Sequence, residues 1–160
     1  MSLTSDGARR VTATDPQHAI RSLLTAYAEA MDAGDFRAVG RLFARATLRN
    51  GRDPQRVVAS GEHEISALLE RTIRMYGGRP GEQHVTTNTI VEIDATEDGA
   101  SARSVYVVFM AAPDFALQPT GAGRYHDRFA RDGAGWYFTD RLFLQDLEGD
   151  QSAHAAPTQP

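Results

Sequence analysis

Tyr27, Asp32 and His84 are side chains whose types suit proton chemistry on a small molecule. Imidazole titrates near neutral pH, so a histidine such as His84 can serve as general base or general acid when a carboxylate stands beside it. A phenolic hydroxyl at Tyr27 can donate to a substrate carbonyl and stabilise an enolate. Asp32 lies near the end of the stretch "YAEAMDAGDF", where a carboxylate meets the negative pole of a helix at a cost of roughly 0.3 to 1 kcal/mol. Each residue also has a plainer reading. Asp32 can brace a turn, as Asp often does before Gly. His84 can be a rim histidine at a strand end, and Tyr27 a core residue whose hydroxyl reaches the edge. Asp35, three residues on, is already available to cap the next helix, which leaves the acid at position 32 without a capping task.

Further handles follow from the period of two along strands. Gly123, Tyr125, Asp127 and Phe129 share one face, and Arg124, His126 and Arg128 the other. Tyr125 and Asp127 are expected on the concave face as pocket residues; the alternative is an ion pair between Asp127 and Arg141 of the neighbouring strand. Thr86 and Asn88 share the face of His84. An ungapped count from His84 brings Val105, Val107 and Phe109 to the inner face of the next strand. Met31, Phe36, Val107 and Phe109 then give the pocket an apolar lining suited to a flat hydrophobic ligand. Five histidines occur, without the spacing of HExxH, and His63 and Glu64 within "GEHEI" lack a second histidine, so no metal site is expected. GxGxxG, GxxxxGK and GxSxG are all missing, and no cofactor is expected.

These side chains need elements to hold them. Asp15 and Pro16 read as an N-cap and a first-turn proline, after which Ile20, Leu23, Leu24, Tyr27, Ala28 and Met31 keep to one helical face. "AGD" breaks that helix, Asp35 can cap the next, and Phe36, Val39, Leu42 and Phe43 form a short second helix. "ATLRN" and "RVVAS", separated by "GRDPQ", predict two short strands. From Gly61, the spacing of Ile65, Leu68, Leu69, Ile73 and Tyr76 marks a third helix that "GGRPG" stops. Then come four strands, "QHVTTNTIVEID", "ASARSVYVVFMA", "GAGRYHDRFAR" and "GWYFTDRLFLQDL", separated by "ATEDG", a two-proline loop and "DGAG". Helices followed by a meander of long strands predict an α+β fold with three helices on a curved antiparallel or mixed sheet, leaving a cone open at one end. That opening is where a small ligand fits.

The chain has 160 residues, enough for one domain with one core. Residues 1–14 and 149–160 are polar and small, with too little apolar surface to offset the entropy of ordering; both are expected to be mobile around a domain spanning 15–148. The net charge is −4 with 17 scattered basic residues, so no nucleic-acid partner is expected. No run approaches 18 apolar residues and the N-terminus lacks a secretory segment; the expectation is a cytoplasmic protein without a membrane partner. There is no cysteine, hence no disulfide and no thiolate nucleophile. The convex face of such a sheet usually needs covering, which predicts a homo-oligomer, dimer or trimer.

The order of elements together with "LLTAYAEAMDAGDFRAVGRLFA", "HVTTN" and "GRYHDRFARDGAGWYFTDR" resembles the SnoaL-like branch of the nuclear-transport-factor-2-like cone fold, over nearly all of residues 17–147. Within that branch the helix-one tyrosine and aspartate and the first-strand histidine are similar to those of scytalone dehydratase and bile acid 7α-dehydratase. The resemblance implies Tyr27 as the hydroxyl that polarises a carbonyl, Asp32 as partner of the histidine, and His84 as the base. It implies a cofactor-free enzyme that eliminates water from, isomerises or cyclises a hydrophobic cyclic carbonyl or hydroxyl compound, the His84 imidazolium returning its proton to the leaving hydroxyl. The alternative is a non-catalytic module, either a small-molecule binder or the small subunit of a ring-hydroxylating dioxygenase-like complex, which an apolar second strand favours.

Overall fold

The computed structural model describes residues 15–156. The segments 1–14 and 157–160, expected to be mobile, lie outside the described residues. Helix α1 (Pro16–Ala33) begins where the Asp15 carboxylate accepts from the Gln17 N–H at 3.2 Å and Pro16 fills a first-turn position whose N–H would go unused. It ends at Gly34, left-handed at φ 72°, a conformation that costs glycine little. Asp35 then caps α2 (Phe36–Leu42) by accepting from the Ala38 N–H at 2.8 Å. The caps are thus Asp15, Gly34 and Asp35, and Asp32 is left for something else.

β1 (Thr47–Asn50) and β2 (Asp53–Ser60) form a hairpin, α3 (Gly61–Thr72) follows, and then come β3 (Glu82–Ile93), β4 (Gly99–Ala112), β5 (Phe115–Asp132) and β6 (Gly135–Glu148). The sheet order is β2-β1-β6-β5-β4-β3, antiparallel except for the parallel β1 and β6 pair. Three helices pack on this six-stranded mixed sheet, which does not close, as the α+β patterning predicts. The core is the layer between them: Ile20, Leu24, Met31, Phe36, Val39, Phe43 and Ile65 from the helical side meet Ala102, Phe129 and Phe138 from the sheet. Burying a side chain of this size contributes about 1.5 to 3 kcal/mol. Phe43 and Phe138 stack at 4.5 Å, joining the end of α2 to β6.

Several boundaries differ from the sequence expectation, each for a local reason. β2 starts at Asp53 and takes in Pro54, which an edge strand tolerates because an outward N–H is not needed there. β5 starts at Phe115 and runs through Pro119, where the register against β4 shifts and the proline sits at the irregularity. α3 stops at Thr72 rather than beyond Tyr76, because Ile73 turns extended (φ −97°, ψ 127°) and pairs with Ala155. That partner belongs to the segment expected to be mobile. Residues 149–156 instead fold back on the domain: the Gly149 N–H donates to Thr120 O, Arg74 N–H to His154 O and Ala156 N–H to Thr72 O, at 3.0, 2.9 and 2.9 Å.

Candidate functional site

Between the helices and the inner face of the sheet lies a cavity of about 240 Å³. Tyr27 and Met31 of α1 reach it, as do Glu82 and His84 of β3, Tyr106 and Val108 of β4, Arg141 and Phe143 of β6, and His154 of the returning segment. An apolar cavity of about 150 Å³ accommodates benzene, so this one suits a ligand of one or two rings.

Asp32 occupies the last turn of α1, and one of its oxygens, Oδ1, lies 2.8 Å from both the backbone nitrogen and the Nδ1 atom of His84. Two hydrogen bonds from the start of β3 offset the unfavourable position of an acid at a helix C-terminus. The imidazole is 6% exposed at its side chain. With Nδ1 taken by Asp32, Nε2 is the ring nitrogen left for a ligand, and it has no partner among the described residues. The Tyr27 ring meets the His84 ring edge-on, with centroids 6.3 Å apart.

Arg141 forms the floor. It is buried, and its Nε and Nη2 donate to the Asp127 carboxylate at 2.7 and 2.9 Å. Its guanidinium carbon stands 4.1 Å from the centroids of both Tyr27 and Tyr125, a cation held against two aromatic faces. Burial works against the charge, but the Asp127 carboxylate more than offsets it and raises the guanidinium pKa, so Arg141 is a cation. Its Nη1 has no hydrogen-bond partner, and neither have the hydroxyls of Tyr106, Tyr125 and Ser104. Burial pushes the Tyr106 hydroxyl well above its ordinary value, so it stays protonated and able to donate. Its ring stacks on Tyr125 at 4.5 Å and on Phe143 at 5.1 Å. Gly123 makes that stack possible: a Cβ there would lie 2.0 Å from Leu144 O and 2.7 Å from the Tyr106 hydroxyl.

Of the residues expected at the site, Tyr27, Met31, Asp32 and His84 come together. Others do not reach the cavity. Phe36 lies in the core beneath α2. Asn88 is exposed because β3 bulges there, with φ 50° at Asn88 and a register shift between Thr87 and Ile90, which breaks the period of two from His84. Val107 and Phe109 lie on the other face of β4. His84 pairs with Val108 and Thr86 with Tyr106, so the inner set is Ala102, Ser104, Tyr106 and Val108. Tyr125 and Asp127 are buried beneath the cavity, Asp127 in the pair with Arg141. Sequence reasoning missed Tyr106, Glu82, His154 and the cavity-facing side of Arg141. For Tyr106 a signal was present: Arg103 shares the parity of Val105 and Val107, and an arginine on the inner face would have been buried. Among the described residues no cluster of three or more His, Cys, Asp or Glu side chains is set to hold a metal ion.

A helical layer over an open, curved sheet with a cavity between them is the nuclear-transport-factor-2-like arrangement. The sequence matches the family model described as SnoaL-like domain over residues 12–142, and the chain belongs to that family. Solved structures with the same fold include a nuclear-transport-factor-2-like protein with a cystatin-like fold from Novosphingobium aromaticivorans, 24% identical, covering 86% of each chain with a TM-score of 0.67. A candidate scytalone dehydratase from the same organism is 21% identical over 88% of this chain and 90% of that one, TM-score 0.65. A candidate aromatic ring hydroxylase, again from that organism, is 22% identical over 86% and 95%, TM-score 0.67. No curated protein matches the chain significantly.

Proposed function

We propose that this protein is an acid–base enzyme that eliminates water from a small cyclic β-hydroxy ketone, or carries out a related isomerisation or cyclisation, with its own side chains moving the protons. The observation that carries this reading is the 2.8 Å contact between Asp32 Oδ1 and His84 Nδ1, which leaves Nε2 for the substrate beside the Tyr27 ring. In the reaction, Nε2 of His84 removes the proton next to the carbonyl and Asp32 steadies the imidazolium. The electron pair of the broken C–H bond forms a C=C bond as the C–O bond to the hydroxyl breaks, and the hydroxyl takes up a proton and leaves as water. Tyr27 donates to the developing oxyanion, and the unpartnered Arg141 Nη1 and Tyr106 hydroxyl give the site a donating floor. General acid–base action contributes about 10² to 10⁴ in rate and an oxyanion donor about 10² to 10³. Factors of this size suit an activated C–H bond.

Two structural relatives carry names for dehydration and for ring hydroxylation. At their levels of identity they share the fold, and the choice rests on the side chains here. The non-catalytic alternative drew on an apolar inner face of β4, and that face carries Ser104 and Tyr106, which favours the catalytic reading. The test is turnover of a hydroxytetralone whose hydroxyl is β to the ketone; loss of water and tautomerisation give naphthol, which is fluorescent. Wild type is expected to turn over and His84→Ala to lose at least 10²-fold. Full activity in a folded His84→Ala protein overturns the reading.

A further inference from the structure

The returning C-terminal segment brings a second histidine to the same cavity. Glu82 and His84 are alternate residues of β3 and both line the cavity wall. His84 is held by Asp32, and Glu82 in turn holds His154: its Oε1 is hydrogen-bonded to Nδ1 of that ring. The Glu82 side chain is 1% exposed and Oε2 has no partner. A carboxyl so buried is costly without a partner, and His154 is its only ionic partner among the described residues. The segment is seated by the backbone hydrogen bonds at Thr72 and Arg74 and by the Tyr76 hydroxyl, which donates to Ala153 O at 2.8 Å. The His154 position is therefore built by the fold rather than incidental to a loose tail.

We propose that His154, positioned by Glu82, is a second acid–base group of this cavity and the one that hands a proton to the departing hydroxyl, an assignment that rests on the elimination reading above. The two imidazoles share one geometry, with a carboxylate on Nδ1 and Nε2 left for a ligand. The hydrogen bond that Nδ1 donates to Glu82 raises the His154 pKa against the effect of burial and widens the pH range over which the ring keeps its proton, as a general acid requires. A ligand that fills a cavity of about 240 Å³ is in reach of both walls. The step balances: His84 Nε2 gains the proton of the C–H bond, whose electron pair becomes the C=C bond. The C–O bond breaks onto oxygen, which takes the Nε2 proton of His154 and leaves as water. His154 is 35% exposed at its side chain and can take a proton back from solvent, while His84 returns its own.

The experiment uses the full chain and two probes. Hydroxytetralone reports the whole elimination. Tetralone without the hydroxyl reports the base alone, through exchange of its α-hydrogens with deuterium from heavy water. In His154→Gln the elimination kcat is expected to fall on the order of 10²-fold with KM nearly unchanged, while deuterium exchange persists. Glu82→Gln keeps an acceptor for Nδ1 but removes the charge, and should move the basic limb of the elimination profile to lower pH. An elimination kcat within threefold of wild type in folded His154→Gln, an unmoved basic limb in Glu82→Gln, or exchange and elimination lost together in His154→Gln would each overturn the assignment. Exchange that survives in His84→Ala instead strikes the reading of His84 as base, and the assignment to His154 falls with it.

Discussion

Asp32 and His84 are joined twice through one atom: Oδ1 accepts from the backbone N–H of His84 and lies 2.8 Å from Nδ1 as well. The first contact fixes where β3 begins relative to the end of α1. The second fixes which ring nitrogen faces the cavity. A turn-bracing aspartate needs neither, and the turn is already served by Gly34 and Asp35.

Asp32→Asn should therefore impair chemistry more than folding. An amide can meet the ring in the wrong tautomer, which puts the lone pair on Nδ1 and blocks proton transfer at Nε2; turnover is expected to drop roughly 10²-fold or more. Stability should fall by only about 1 kcal/mol, the scale of one weakened hydrogen bond. Steady-state kinetics beside urea denaturation decide the matter, and a loss of stability without loss of turnover would make Asp32 structural.

The buried pair of Arg141 and Asp127, 1% and 0% exposed at their side chains, should show strong coupling. Arg141→Met leaves a buried carboxylate without its partner and is expected to cost about 3 to 5 kcal/mol, and Asp127→Leu a similar amount. The double variant removes both charges and should recover much of that loss. A double-mutant cycle by denaturant unfolding measures it. Additive costs in the double variant would mean the pair is not coupled.

What could be read from the sequence divides along local and non-local lines. Asp15, Pro16, Gly34 and Asp35 mark the helix boundaries through their own backbone and capping chemistry, so α1 and α2 were legible. Tyr27 and Met31 follow from helical spacing. The inner face of β4 was not legible from His84, because register between two strands is set by a hairpin and by the bulge at Asn88, not by counting along the chain. Arg103 would have corrected the parity. Glu82 and His154 lie 72 residues apart and nothing local connects them. The segment "GDQSAHAA" reads as loose because backbone hydrogen bonds to Thr72 and Arg74, rather than apolar side chains, hold most of it.

Gly123→Ala tests the floor of the cavity from below. A Cβ 2.0 Å from Leu144 O and within 3 Å of the Tyr106 hydroxyl and its neighbouring ring carbon has no room on either side. Overpacking of this kind typically costs about 1 to 3 kcal/mol. At about 2 to 4 °C per kcal/mol for a domain of this size, Tm should fall by several degrees and the Tyr106 ring should tilt, visible in near-ultraviolet circular dichroism. An unchanged melting curve would mean that β5 and β6 part easily at this point.

The pairing of His154 with Glu82 makes a prediction about pH with a definite sign. Glu82 raises the His154 pKa above its ordinary 6.5 in the folded protein, and the unfolded chain keeps the ordinary value. Below 6.5 the ring is protonated in both states and the pair contributes its full stabilisation. As pH rises from 6.5 through the raised folded value, the folded protein holds a proton that the unfolded chain has released, and the contribution fades. Unfolding free energy measured across this window should therefore decline in wild type relative to Glu82→Gln, in which the two pKa values lie closer together. The same window should loosen residues 149–156, since Tyr76, Thr72 and Arg74 then hold the segment without the ion pair. Hydrogen exchange at Arg74 and Ala156, whose N–H groups bond across that seam, should quicken beyond the intrinsic rise with pH in wild type and much less so in Glu82→Gln. Equal protection in both proteins at high pH, with no decline in wild-type stability, would show that the backbone contacts alone seat the segment.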